Sequence, residues 1–159
     1  EIASCLVGSE MCIRDRVTML DDAIAGDPQN IELWFSRAQI FVSLEDYDEA
    51  IASLEKAIEL NPQSYEAQFF TGYYIIMKAD ALNQEANEKE YTNAGEYEAD
   101  QKEILSIYSQ AVPYLEVAHE IMPQNPDPVQ LLKTLCYRLR DEPGMMEKYE
   151  KYNELYKQM

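Results

Sequence analysis

The chain has 159 residues, 47% of them hydrophobic and only five of them glycine, so it is long and apolar enough to bury one helical core. Thirty acidic and thirteen basic residues give a formal net charge of −17, which argues against a nucleic-acid partner and is compatible with a basic one. No apolar run approaches the length of about eighteen residues that suggests a membrane span.

Residues 1–16, EIASCLVGSEMCIRDR, show neither helix nor strand periodicity. Residues 5–16 resemble the in-frame translation of an adapter from a transposase-based sequencing library. We therefore predict that 1–16 is a non-native segment and that the gene is truncated upstream; a native N-terminal segment is the alternative. Without this segment Cys136 is the only cysteine, and it forms no internal disulfide.

A step of 34 residues runs through the next part of the chain. It separates Pro28 from Pro62 and Ala38 from Gly72. This period is typical of a helix-turn-helix unit that stacks on its neighbours, because one such unit cannot bury its apolar face alone.

Residues 31–64 form the most regular unit. Asp46 is predicted to cap the second helix, with Glu49 three residues later as in a capping box. Ala50 and Leu54 lie four residues apart on one face of that helix, and its small residues allow the helix axes to approach closely. Pro62 ends the unit, because proline disfavours helical geometry in the residue before it.

This unit resembles the tetratricopeptide-repeat (TPR) family. The matching positions are Trp34, Ala38, Tyr47, Ala50, Leu54, Ala57 and Pro62. Gly72 takes the small contact position of the next repeat, and the second-helix pattern returns after a constant step of 61 residues at Tyr108, Ala111, Leu115, Ala118 and Pro123. The resemblance implies an all-α, TPR-type α-α solenoid with about three repeats plus a residual helix, in which these residues pack the repeats together.

The step of 61 exceeds 34 by 27, which predicts an insertion of about 27 residues around 79–104. Helix formers dominate it, and Thr92 to Gly95 is its only strong turn signal, so we predict one elongated antiparallel helical hairpin; an unstructured loop is the alternative. The predicted single solenoid domain, 17–159, then contains a residual second helix of a truncated repeat (17–30), a repeat (31–64), a repeat with the insertion (65–125) and a divergent C-terminal repeat (126–159).

The segment AVPYLEVAHEIMP at 111–123, together with the insertion before it, is similar to a narrower group of bacterial, often exported TPR proteins. That similarity implies a bacterial source and favours the cell envelope or periplasm over the cytoplasm.

No motif in the sequence supports catalysis. There is no glycine-rich phosphate loop, no GxSxG and no CxxC, and His119 is the only histidine. Cys136 stands at a position that is apolar in the earlier repeats, and the carboxylates of Glu85, Glu88 and Glu90 are predicted to form a solvated face. The sequence therefore predicts no enzyme activity, no metal site and no cofactor.

The resemblance implies that a partner binds the concave face, which the first helix of each repeat builds. The residues predicted to line this groove are Phe35, Gln39, Phe69, Tyr73, Met77, Gln130, Thr134 and Tyr137; packing between helices is the alternative role for each. The predicted function is a protein-interaction scaffold for a protein or peptide, an apolar segment with basic flanks. The alternative is a self-assembling or accessory region of a larger protein. Neither the partner's identity nor the oligomeric state follows from the sequence.

Overall fold

Residues 15–159 are described by a computed structural model, and every regular element in that range is an α-helix. This confirms the predicted all-α fold. Of the predicted non-native segment, residues 1–14 lie outside the described range. In chain order the helices are α1 (15–26), α2 (Ile31–Ser43), α3 (Tyr47–Leu60), α4 (Tyr65–Glu88), α5 (Ala94–Ile121), α6 (Pro126–Arg138) and α7 (Met145–Gln158).

The helices belong to two compact units that divide between Pro62 and Gln63. The described part of the first unit contains α1, α2 and α3, with α2 packed against α3. In the second unit α4 packs against α5, α5 against α6, and α6 against α7. A single continuous domain over 17–159 stays a prediction. None of the helices in the described range is long and apolar enough to cross a membrane.

The helix starts are fixed by local side chains. Asp46 Oδ1 accepts a hydrogen bond from the Glu49 backbone N–H at 3.3 Å, which confirms the predicted cap of α3. Helix α7 instead follows Gly144, whose φ of +79° lies in the left-handed region that glycine tolerates best. The other helices described from their first turn are capped by the side chains of Asn30, Ser64, Asn93 and Asn125.

Helices α4 and α5 form the predicted elongated hairpin. They contain 24 and 28 residues, against 13 and 14 in α2 and α3. The Tyr108 hydroxyl of α5 donates to Asp80 of α4, and nearer the tip Lys89 pairs with Asp100 at 2.7 Å. Later residues of α4 therefore contact earlier residues of α5, so the two helices are antiparallel. Residues 89–93 connect them, and α5 already begins at Ala94, within the segment predicted as the turn.

Small residues occupy the closest contacts inside each unit. Ala38, Ala50 and Ala57 are almost fully buried in the first unit, and so is Leu54. The second unit repeats this arrangement: Gly72 of α4 and Ala111, Leu115 and Ala118 of α5 are buried. The remaining predicted packing residues are less uniform. Trp34 is half-buried, and its Nε1 donates to the Pro28 carbonyl at 3.0 Å. Tyr47 is half-buried and Tyr108 is buried, whereas Pro62 and Pro123 are exposed.

Candidate functional site: an aromatic face on α4

An aromatic ladder of three rings runs along α4. Tyr65, Phe69 and Tyr73 are four residues apart, so they lie above one another on one face of the helix. The ring centroids of Tyr65 and Phe69 are 5.5 Å apart, and those of Phe69 and Tyr73 are 6.2 Å apart, with the planes nearly parallel. Tyr73 is 39% exposed. The ladder therefore presents stacked aromatic surface to solvent.

Phe70 extends this aromatic surface sideways. Its ring meets Phe69 edge-on at 5.6 Å and stacks on Tyr74 at 5.8 Å, while 37% of Phe70 remains exposed. Met77 lies one helical turn beyond Tyr73 and is half-buried. The groove predicted from the sequence includes Phe69, Tyr73 and Met77 but not Tyr65, although the four-residue spacing of Tyr65 from Phe69 was an available signal.

Helix α6 runs alongside α4 in the same direction. Near its start, Asn125 Nδ2 donates to the Tyr65 hydroxyl at 2.8 Å. At its end, Arg138 Nη1 pairs with Asp80 Oδ1 at 2.8 Å. The aromatic ladder therefore begins next to the start of α6.

Three predicted groove residues lie on α6. Gln130, Thr134 and Tyr137 are exposed and follow one another at steps of four and three residues, so they share one helix face. Tyr137 is 51% exposed, with the Tyr149 ring 5.2 Å away. Six of the eight predicted groove residues thus belong to the second unit.

Two carboxylates act on Tyr65, the first ring of the ladder. Burial raises the pKa of Tyr65, and the negative charges of Asp127 and Glu66 raise it further. Both carboxylates are exposed. The electrostatic potential at this end of the ladder is therefore negative, which favours a cationic group on a bound segment.

The two remaining predicted groove residues, Phe35 and Gln39, lie on α2 in the first unit. Phe35 is half-buried and Gln39 is exposed. Between them in sequence, Arg37 joins three helices: it pairs with Asp21 at 3.0 Å and with Glu49 at 2.9 Å.

Arg37 combines an aromatic contact with buried polar ones. Its guanidinium lies 4.5 Å above the Phe41 ring. Its Nη1 also donates to Ser53 Oγ at 2.6 Å, and the Arg37 side chain is only 17% exposed. Arg37 is therefore a charged connection between α1, α2 and α3.

The residues with nucleophilic or ligating side chains are placed for packing. Cys136 is fully buried, and this burial raises the pKa of its thiol to about 11, so it is a poor nucleophile at neutral pH. His119 is half-buried with its ring edge-on to Tyr152 at 6.4 Å. Within residues 15–159, no group of three or more histidine, cysteine or acidic side chains is arranged to hold a metal ion.

Raising the pH from 9 to 11 is expected to destabilise the fold through Cys136. The pKa of its thiol rises from 9 in the unfolded chain to about 11 in the folded protein. The stability that the neutral thiol contributes is complete below pH 9 and is lost as the pH rises through 11, a loss on the order of 2 kcal/mol. Urea unfolding across this range should therefore show a shallower decline for Cys136→Ala than for the unsubstituted chain.

Comparing the unsubstituted chain with Cys136→Ala isolates the effect of the thiol from that of the buried tyrosines. Burial also raises the pKa values of Tyr108 and Tyr152, but both phenols are present in the two proteins and contribute equally to each. An identical pH dependence with and without the Cys136 thiol would contradict the expectation.

Known proteins match this chain through its repeat. The family described as tetratricopeptide repeat matches residues 31–64. Human tetratricopeptide repeat protein 28 is 35% identical over 69 residues, which cover 42% of this chain and 3% of that protein. The SGT1 homologue of Oryza sativa subsp. japonica is 42% identical over 54 residues, which cover 34% of this chain and 15% of that protein. The chain thus spans a small part of the length of these curated relatives.

A solved structure extends the likeness beyond the matched repeat. The structure described as MamA MSR-1 C2 superposes with a TM-score of 0.58 at 17% sequence identity, covering 92% of this chain and 69% of that chain. At this identity the likeness is one of fold alone, and it agrees with the all-α architecture. Residues 31–64 therefore match a tetratricopeptide repeat, within a chain whose overall fold is that of an all-α solenoid.

Proposed function

We propose that this protein is an interaction scaffold whose second unit binds an apolar segment of a partner protein on the aromatic face of α4. Tetratricopeptide-repeat proteins stack helical pairs into solenoids that present extended binding surfaces. The observation that carries the proposal is the aromatic ladder itself, with Tyr73 39% and the adjoining Phe70 37% exposed. A contiguous aromatic surface of this kind marks an interaction site more often than an isolated exposed ring does.

The ladder has the properties of a binding anchor. Its rings are held in place by stacking along the helix, so a partner orders few additional torsions when it binds them. Tyrosine also offers a hydroxyl at the edge of an apolar ring, and Met77 supplies an adaptable thioether one turn further on. Burial of these side chains would provide most of the affinity.

The charges near the ladder select the flanks of the bound segment. Asp127 and Glu66 act on Tyr65 at one end of the ladder, within a chain of net charge −17. Lysine or arginine beside the apolar residues of a partner would accelerate encounter, and acidic flanks would be disfavoured. Gln130, Thr134 and Tyr137 extend the proposed surface along α6, and Phe35 with Gln39 offers a related surface on the first unit.

Tyr73→Ala is expected to weaken binding by roughly 1–3 kcal/mol if Tyr73 is an anchor. The probes are three synthetic peptides that share one apolar core and differ only in lysine, serine or glutamate flanks. Fluorescence anisotropy should rank the lysine-flanked peptide tightest, and raising the salt concentration should slow its association while leaving the Tyr73→Ala loss nearly unchanged.

Tyr97→Ala is the matched control for that measurement. Tyr97 is 46% exposed, like Tyr73, but it lies near the hairpin tip, where its ring contacts Tyr91 at 5.3 Å. The Tyr97→Ala substitution should leave the affinity for the lysine-flanked peptide unchanged. Equal losses in the two variants, or unchanged affinity in a folded Tyr73→Ala protein, would move the binding site away from the ladder.

A self-assembling structural role is the second candidate function, and the same exposed ladder could serve it. Sedimentation over a range of protein concentrations distinguishes the two. A mass that rises with concentration, and falls back when Tyr73 is replaced by alanine, would assign the ladder to self-association.

A further inference from the structure

The elongated hairpin contains a cleft between its two arms, away from the aromatic ladder. The cleft has a volume of about 200 Å³. Leu82 and Ala86 line it from α4, and Ile104 lines it from α5; Ala86 and Ile104 are buried and Leu82 is half-buried. The cleft therefore has an apolar lining that is large enough to cover the stem of a long side chain.

Two carboxylates line this cleft from opposite arms. Glu85 belongs to α4 and Glu103 to α5, and both are exposed. Within residues 15–159, no ion pair or hydrogen bond joins Glu85 or Glu103 to another side chain. Carboxylates on facing arms repel each other, and a cation placed between them would relieve that repulsion.

The neighbouring lysine does not neutralise these two carboxylates. Lys89 also lines the cleft, but its ammonium pairs with Asp100 at 2.7 Å and lies 5.1 Å from the Tyr91 ring centroid. Across residues 81–107 there are seven acidic and two basic residues. The potential around the cleft is therefore negative, and an incoming cation meets no free positive charge at its lining.

We propose that this cleft is a second docking site, which takes an arginine side chain from a basic segment of a partner protein. The arginine stem would pack on Leu82, Ala86 and Ile104, and its guanidinium would reach Glu85 and Glu103. Arginine fits better than lysine because its planar fork presents several donors at once and is more weakly hydrated than an ammonium group. A bound metal ion fits poorly, because the described side chains offer no metal-binding cluster.

The test uses the full chain, labelled with ¹⁵N, and three capped peptides that carry arginine, citrulline or lysine in one serine-rich context. Citrulline keeps the shape of arginine but removes its charge. The arginine peptide should shift the amide resonances of Leu82, Ala86 and Ile104, and the citrulline peptide should not. Glu85→Gln with Glu103→Gln should weaken arginine binding about tenfold or more, because two charge-assisted hydrogen bonds are lost.

The matched control is Glu90→Gln with Glu98→Gln. It changes the net charge equally on the same hairpin, but neither residue lines the cleft. It should change arginine binding less than about twofold, as expected for long-range screening alone. Equal weakening in the two double variants would show general attraction to an acidic surface and overturn the site.

A stability readout separates docking from a structural role for these carboxylates. In the free protein, Glu85→Gln with Glu103→Gln should raise the thermal midpoint above that of the control variant, because the repulsion across the cleft is relieved. A lower midpoint would mean that the carboxylates support the fold. Equal shifts with the lysine peptide, or the same shifts with calcium chloride, would overturn the assignment to arginine.

Arginine binding at the cleft is expected to be independent of the aromatic ladder. Tyr73→Ala should leave the arginine-dependent shifts at Leu82 and Ile104 unchanged. Loss of those shifts in the folded Tyr73→Ala protein would show that the two surfaces form one site and overturn the proposal of a second one.

Discussion

Leu115→Ala will lower the free energy of unfolding by about 2–5 kcal/mol, the range for removing a large aliphatic side chain from a fully buried position. Leu115 has no exposed surface, and its side chain lies against the backbone of Gly72 on the facing arm of the hairpin. Truncation leaves a cavity that two long, mutually packed helices collapse into only partly. Urea unfolding followed by circular dichroism measures the loss.

Leu44→Ala provides the same chemical change at a surface position. Leu44 is 45% exposed at the C-terminus of α2, so its truncation should cost well under 1 kcal/mol. Similar losses for the two substitutions would show that the repeat register, which places Leu115 at the same position as Leu54, is wrong.

Gly72→Leu is expected to destabilise the protein by about 1–3 kcal/mol or more through overpacking. A Cβ atom on Gly72 would lie 2.8 Å from Leu115 Cγ and 3.3 Å from the Ala111 carbonyl oxygen. The first of these distances is too short for carbon atoms, and Leu115 is enclosed on all sides, so the helices must separate. The gain in helix propensity over glycine, about 0.8 kcal/mol, offsets only part of this cost.

Gly26→Leu is the control for that substitution. Gly26 is also helical, but no neighbouring atom lies within 4 Å of a Cβ added there. The change should be neutral or slightly stabilising in the same urea titration. A neutral Gly72→Leu would contradict the close approach of α4 and α5.

A double-mutant cycle identifies the atoms responsible. Gly72→Ala should be less harmful when Leu115 is also alanine, because the side chain that meets the new Cβ is then gone. The loss in the double variant should be smaller than the sum of the single losses by about 0.5–3 kcal/mol. Strict additivity would place the strain elsewhere.

Several elements of this protein were determined by its sequence alone. The repeat period, the cap at Asp46 and the lengthened arms of the hairpin all depend on residues within one or two helical turns, or on simple recurrence along the chain. Periodicity of three and four residues sets which face of a helix is apolar whatever it packs against. For that reason the all-α fold and the hairpin were predictable, and the burial of Cys136 agrees with its alignment to earlier apolar positions.

The candidate sites were only partly predictable. Phe69, Tyr73 and Met77 were selected by the family resemblance, and the structure shows the first two stacked in a ladder. The tertiary structure adds Tyr65 to the ladder, and the Tyr65 hydroxyl accepts a hydrogen bond from Asn125, sixty residues later in the chain. That these residues line a binding groove stays a prediction, as it does for Phe35 and Gln39 of the other unit.

Charge pairing was decided by tertiary structure. Glu85 was expected to lie on a solvated face, and sequence spacing could not show that it lines a cleft with Glu103. Nor could it show that Arg37 meets Asp21 and Glu49 on two other helices. Helical periodicity fixes the face on which a side chain lies, whereas a charged group's partner depends on which helix packs against that face and in what register. The sequence thus determined the elements, and packing between them decided which charges are paired.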